Sequence, residues 1–224
     1  MRVTFAIMAL AISTDPSAAQ EAQTNRDVDA VIRAAAQGNR ERMKAPPGFV
    51  NGPRAALPPS EKALGHHGTV IIEGVIDVDG RMHAARVKVG SGVAALDNIA
   101  LSAAQESRFT PAKDAAGQAL PVLTSMPFDL VAYKSVNSGL FEHKCDQFVR
   151  DMDWWRIANP SKPFSEHTLY KLELGSSMLS IMQAARGDQN KLRTLIGGFD
   201  TKWSAAMELC RVKPAMLQKD VIFR

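Results

Sequence analysis

Apolar and polar positions alternate with a period of two in two neighbouring runs, Gly68 to Val78 and Arg81 to Val89, separated only by Asp79-Gly80. A period of two sends successive side chains to opposite faces of a strand. Two such runs joined by Asp-Gly predict a hairpin on a two-residue type I′ turn, in which both loop residues take positive φ and match the strand twist. In the first run Val70, Ile72, Gly74, Ile76 and Val78 share one face, while Ile71, Glu73, Val75 and Asp77 share the other. One face is thus apolar and one mixed, as in a sheet covered on one side. The spacing then changes to three and four over Val93 to Ser107, where Leu96, Ile99, Ala100, Ala103 and Ala104 form one helical stripe. Arg108-Phe109-Thr110-Pro111-Ala112 leads on to a last apolar run, Pro127 to Tyr133, with Phe109 expected at the corner between helix and sheet. The order strand, strand, helix, strand predicts an α+β module, a small antiparallel sheet with one packed helix.

The flanks read differently. Val3 to Ile12 is a largely apolar run behind Arg2, followed by Ser17-Ala18-Ala19. That is the pattern of a signal peptide over residues 1–19, cleaved before Gln20. A helix of that length rises about 15 Å, half the hydrocarbon core of a bilayer, so it is not expected to span one. Gln20 to Asn25 is polar and expected to lack structure, Arg26 to Lys44 suits a short helix with Val28, Val31, Ile32 and Ala35 on one face, and the Pro- and Gly-rich stretch Ala45 to Pro59 reads as a linker. Residues 20–57 therefore form a short helix and linker, 58–134 the α+β module, and 135–224 a helical region. In that last region Phe141, Cys145, Phe148, Met152 and Trp155 recur at helical spacing. So do Leu169, Leu172, Leu174, Met178, Leu179, Ile181 and Met182, and then Leu192, Leu195, Ile196, Phe199, Trp203, Met207 and Cys210, with a break at Gly197-Gly198. Three such segments predict a small helical bundle.

Within the module, Pro58-Pro59 precedes a short helical stretch. Gly68-Thr69-Val70 opens the first strand, and Asp79-Gly80 makes the turn. Val87-Lys88-Val89-Gly90-Ser91-Gly92, Leu96-Asp97 with Ala100, Arg108-Phe109 with Pro111-Ala112, and Pro127-Phe128 follow in that order. This succession resembles the TonB C-terminal domain family. The resemblance covers roughly one third of the chain. It implies a periplasmic binding module that engages an envelope protein, such as an outer-membrane TonB-dependent transporter, by adding a strand of the partner to its own sheet edge. The edge it implies is Phe128, Asp129, Leu130, Val131, Ala132 and Tyr133. The alternatives are that the helical tail covers that edge, that the edge pairs two copies into a homodimer, or that the tail is the active region of an envelope enzyme. The sequence has no evident membrane anchor and lacks the long Pro-rich spacer of the family's energy transducers, so a transducing role is not expected of it alone.

Composition changes this picture little. The 224 residues are 46% hydrophobic and 22% charged, which excludes disorder throughout. The net charge of +4 is unevenly placed. Pro58 to Tyr133 holds 6 Lys and Arg against 8 Asp and Glu, and Lys134 to Arg224 holds 14 against 10. The basic residues alternate with acidic ones, so no nucleic-acid surface is expected. The two cysteines, Cys145 and Cys210, both lie in the helical region. In an oxidising compartment they are expected to form a disulfide, the alternative being two separate buried thiols.

No catalytic constellation emerges. His66, His67 and His83 lack acidic or cysteine ligands at metal-binding spacing, and adjacent residues in an extended segment face opposite ways. His143 and Cys145 are two residues apart, about 200° around a helix, so they do not form a local nucleophile–base pair. Gly90-Ser91-Gly92 follows a hairpin strand and is no nucleophile elbow. No phosphate-binding or dinucleotide motif is present. The chain is therefore expected to be no enzyme and to hold no metal or cofactor. Trp154 and Trp155 are adjacent, so one of them is expected outside the core.

Overall fold

The structure is a computed structural model, and it describes residues 16–133 and 142–222. Its helices are α1 (Pro16–Gly38), α2 (Pro59–Ala63), α3 (Ala94–Glu106), α4 (Cys145–Ala158), α5 (Thr168–Ala185), α6 (Gln189–Gly197), α7 (Phe199–Val212) and α8 (Lys219–Ile222). Its strands are β1 (Gly48–Asn51), β2 (Gly68–Ile76), β3 (Met82–Val89), β4 (Arg108–Thr110), β5 (Ala112–Lys113), β6 (Ala119–Leu120) and β7 (Val122–Leu130). The fold is α+β, with small antiparallel sheets and a helical C-terminal region. Two compact units emerge. One holds the described residues up to Asn51 with Gly74–Ala85 and Gln105–Thr124. The other holds Gly52–Glu73, Arg86–Ala104 and the described residues from Ser125 onward.

The main sheet has the order β3-β2-β7. Leu96, Ala100, Ala103 and Ala104 of α3 are buried, the stripe that a helix on a sheet requires, but β2 does not alternate as expected: Glu73 and Val75 are buried along with Ile72 and Ile76, and Val78 is exposed. The hairpin departs from expectation. Its loop has three residues, Val78, Asp79 and Gly80, closed by Asp77 N donating to Arg81 O and Gly80 N donating to Asp77 O, both at 3.0 Å. Only Gly80, at φ +75°, is left-handed. Asp79 keeps negative φ and uses its carboxylate to accept from Arg81 N at 2.8 Å. A three-residue loop with a terminal left-handed glycine satisfies the same strand twist as the two-residue turn.

Four other expectations change. Gln20 to Asn25 is helical, inside a continuous α1. Val28 and Val31 of α1 are exposed, and the residue it buries is Ala36. The expected linker contains β1, which pairs antiparallel with β4 through Gly48 with Thr110 and Phe49 with Phe109. Only Phe109 of that last pair is buried; Phe49 is 64% exposed. A proline-rich stretch lying at a sheet margin leaves few N–H groups to pair, which hides a four-residue strand from pattern reading. Finally, the third long strand starts at Val122 and stops at Leu130, earlier at both ends than the apolar run implied.

The helical region follows its sequence pattern closely. Cys145, Phe148, Met152 and Trp155 of α4 are buried, as are Phe199, Trp203, Met207 and Cys210 of α7. Phe148 meets Trp203 edge-on with centroids 5.0 Å apart, and Tyr170 of α5 stands 5.0 Å from both Phe199 and Trp203. Aromatic pairs at such angles gain about 0.5–1.5 kcal/mol beyond the area they bury. Cys145 and Cys210 form a disulfide that joins α4 to α7. The α5 and α6 stripes are the exceptions, and Leu192, Leu195 and Ile196 of α6 are only half-buried. Leu169, Tyr170, Glu173 and Ala185 are the buried residues of α5, while Leu179 and Met182 are exposed.

Candidate protein-binding edge and the histidine pair beside it

With the order β3-β2-β7, the main sheet has two margins, β3 and β7. They differ in what they offer. β3 is interrupted at Ala84, whose φ of +50° places a non-glycine residue in the left-handed region. The Ala84 carbonyl accepts from the Arg33 guanidinium of α1 at 2.9 Å. Further along β3, Arg86 and Lys88 reach Glu73 of β2 at 2.7 and 2.8 Å. Bonds from Lys88 and then Arg86 hold the Glu73 carboxyl below the usual carboxylate range. A left-handed residue within a strand that also carries Arg and Lys blunts an edge, because it turns backbone groups out of line with a new ladder and adds charge beside it.

β7 is nine residues long and carries Pro127 at an exposed position. Proline lacks the N–H of a ladder bond, so a strand holding it mid-length belongs at a margin. Side chains along β7 alternate between partly buried Met126 and Phe128 and exposed Ser125, Pro127 and Asp129. Asp129 Oδ1 accepts from Thr69 Oγ1 at 2.7 Å. Of the six edge residues expected from the sequence, Phe128, Asp129 and Leu130 lie in this strand. Val131, Ala132 and Tyr133 lie beyond its end. These three line a small cavity, of about 20 Å³, with His67, Asp151, His167 and the first turn of α5. Tyr133 also stacks on buried His143, with centroids 4.6 Å apart. Burial, then the nearby Asp151 carboxylate, raises the Tyr133 hydroxyl to about 12.

The cavity holds a relationship that sequence spacing could not show. His67 precedes β2 and His167 caps α5, one hundred positions later, yet their Nε2 atoms stand 2.7 Å apart. The tautomers follow from their other contacts. His67 Nδ1 lies 2.7 Å from the Gly65 carbonyl, so it carries a proton and leaves Nε2 as an acceptor. His167 Nδ1 accepts from Leu169 N at 3.0 Å, so its proton sits on Nε2. His167 Nε2–H therefore donates to His67 Nε2, and both rings are neutral. Burial is the main cause that lowers both pKa values, to about 3 for His167. The same bonds argue against a metal here, because His167 could ligate through Nε2 only by surrendering its helix cap or a second proton. Trp155 meets His167 edge-on at 5.5 Å. Trp154, the partly exposed member of the pair, lies 4.3 Å from the His66 ring and donates its indole N–H to the His67 carbonyl at 3.3 Å.

Asp77, Asp79 and His83 bring ligand atoms within 4.8 Å of one another on the hairpin, but both carboxylates already serve backbone N–H groups of the loop. No helix among the described residues is long and apolar enough to cross a membrane.

No curated protein and no solved structure matches the chain. Residues 53–130 match the profile of the Gram-negative bacterial TonB protein C-terminal family, whose domains are non-enzymatic, envelope-associated and linked to transport. The match ends with β7 and leaves the helical region outside it. Residues 53–130 are a TonB C-terminal domain, joined in this chain to a disulfide-bonded helical region.

Proposed function

We propose that this is a periplasmic binding protein whose β7 margin receives an extended segment of an envelope transport protein. The observation that carries the reading is the strand order: β7 is bonded to β2 on one side and, among the described residues, is a margin on the other. Support comes from the contrast with β3, where the left-handed backbone of Ala84, the bond from Arg33 and the flanking Arg86 and Lys88 disfavour a new ladder. Backbone bonds supply the affinity in such an addition, and side chains on alternate positions supply the selectivity. The landing site is Ser125 to Leu130, with Phe128, Asp129 and Leu130 as its C-terminal half. Val131 to Tyr133 are held against the helical region.

The test is capture by the full-length protein from periplasmic and outer-membrane fractions. Wild type is expected to retain an envelope transport protein that Phe128→Pro releases, because a second proline in β7 removes another ladder donor. Equal recovery by both, or recovery of nothing above Phe128→Pro, counts against the reading. Sedimentation over a concentration series separates this from pairing of two copies through β7.

A further inference from the structure

We infer that His67 and His167 form an acid-operated latch that holds the helical region over the end of β7. The inference rests on the edge reading above only for its consequence, which is to set how much of that margin is open. Its basis is geometric. The pair is a single N–H···N bond whose two tautomers are fixed by the Gly65 carbonyl and the Leu169 N–H. It joins the segment entering β2 to the cap of α5, and the cavity it borders is closed by Val131, Ala132 and Tyr133. A proton added to His67 Nε2 sets N–H against N–H. A proton added to His167 Nδ1 removes the acceptor for Leu169. Either event deletes a bond and leaves a cation in a buried site.

The charged surroundings do not rescue that cation. Within the entering segment His66 faces Glu61 at 2.6 Å. From α4, Asp151 favours the charged form of His67, but its Oδ1 is held by Arg150 at 2.6 Å, and Arg150 disfavours that form. His143, before α4, lies 3.5 Å from Asp151 Oδ2. From α5, Lys171 opposes a charge on His167, and Tyr133, past β7, stays protonated. Lys162 and Glu166 line the neighbouring cavity and carry opposite signs. With burial the largest influence on both rings, acid is relieved by separation of the pair, which frees Val131 to Tyr133 and lengthens the available margin.

Two readouts on the protein alone test this, so a failed capture experiment leaves it standing and its failure leaves the edge reading standing. The first is hydrogen exchange of the Leu169 amide and the Trp154 indole, two N–H groups bonded to the latch residues. Between about pH 7.5 and pH 5, after correction for intrinsic rates, protection of both is expected to fall roughly tenfold in wild type and to stay level in His67→Gln/His167→Asn, in which Asn keeps the cap. The second is alkylation of the thiol introduced by Ala132→Cys, the native cysteines being paired. At one fixed neutral pH it is expected to react roughly tenfold faster in the His67→Gln/His167→Asn background than beside the native pair. Level protection in wild type, an acid step that persists in the double variant, or equal alkylation rates would overturn the latch. A double variant that fails to fold leaves the wild-type exchange step to decide.

Discussion

A Cβ placed on Gly80 would overlap the carbonyl oxygen of Phe109, and Phe109 N donates to the Gly80 carbonyl at 2.9 Å. The hairpin tip is therefore pinned to the strand that follows α3 at a point where only glycine fits twice over, for space and for its φ of +75°. Gly80→Ala is expected to cost roughly 2–4 kcal/mol, seen as a lower urea midpoint with an unchanged slope.

Ala84 offers the opposite case. Its left-handed backbone is strained for a residue with a Cβ, and the Arg33 bond to its carbonyl requires only the main chain. Ala84→Gly is expected to stabilise by about 0.5–1 kcal/mol, the reverse of what glycine does inside a regular strand. Paired urea titrations of the variant and wild type measure it.

The Cys145–Cys210 bridge spans 65 positions. Restricting an unfolded loop of that size is worth about 4 kcal/mol in the chain-entropy account. Cys145→Ser/Cys210→Ser is expected to lower the midpoint of the transition reported by Trp203, which lies in the core between the bridged helices. Near-UV circular dichroism during thermal unfolding follows it.

Glu173 is fully buried, and neither carboxylate oxygen has a hydrogen-bond partner among the described residues. Burial lifts its pKa to about 7, and the nearby Gln218 side chain offsets this only in part. The folded protein thus holds a proton that the unfolded chain releases near 4.5, so stability falls as pH rises from there through about 7. The histidine pair works in the other direction. Both rings are neutral when folded and take protons near 6.5 when unfolded, so stability falls as pH drops below that value. Glu173→Gln is expected to remove the alkaline loss, gaining about 2–3 kcal/mol near pH 8 and leaving the acid loss in place. Urea midpoints measured across pH check both limbs.

Much of the architecture was legible because it rests on local patterns. The α4 and α7 stripes bury the residues their spacing implies, and the α3 stripe does so except at Ile99, which is half-buried; the period-two run of β2 does not, because Glu73 and Val75 are buried with Ile72 and Ile76 while Val78 is exposed. Where the pattern misled, the causes differed. The loop of the hairpin took its form from Asp79 bonding Arg81. β1 owes its strand to β4, more than fifty positions away. The exposed Leu179 and Met182 sit in a helix apolar on several sides, where spacing cannot choose the buried face. The histidine pair was invisible to spacing. Each ring alone resembles an ordinary polar residue, and only the fold brings them together.

The contrast between β3 and β7 also limits what can be assembled on this protein. A sheet able to accept a strand on both sides passes the template along, and copies can add without end. On the proposed reading, the left-handed backbone at Ala84 and the Arg33 bond disfavour pairing at β3, so a copy of this chain that receives a strand on β7 offers little on its opposite margin from which a filament could continue.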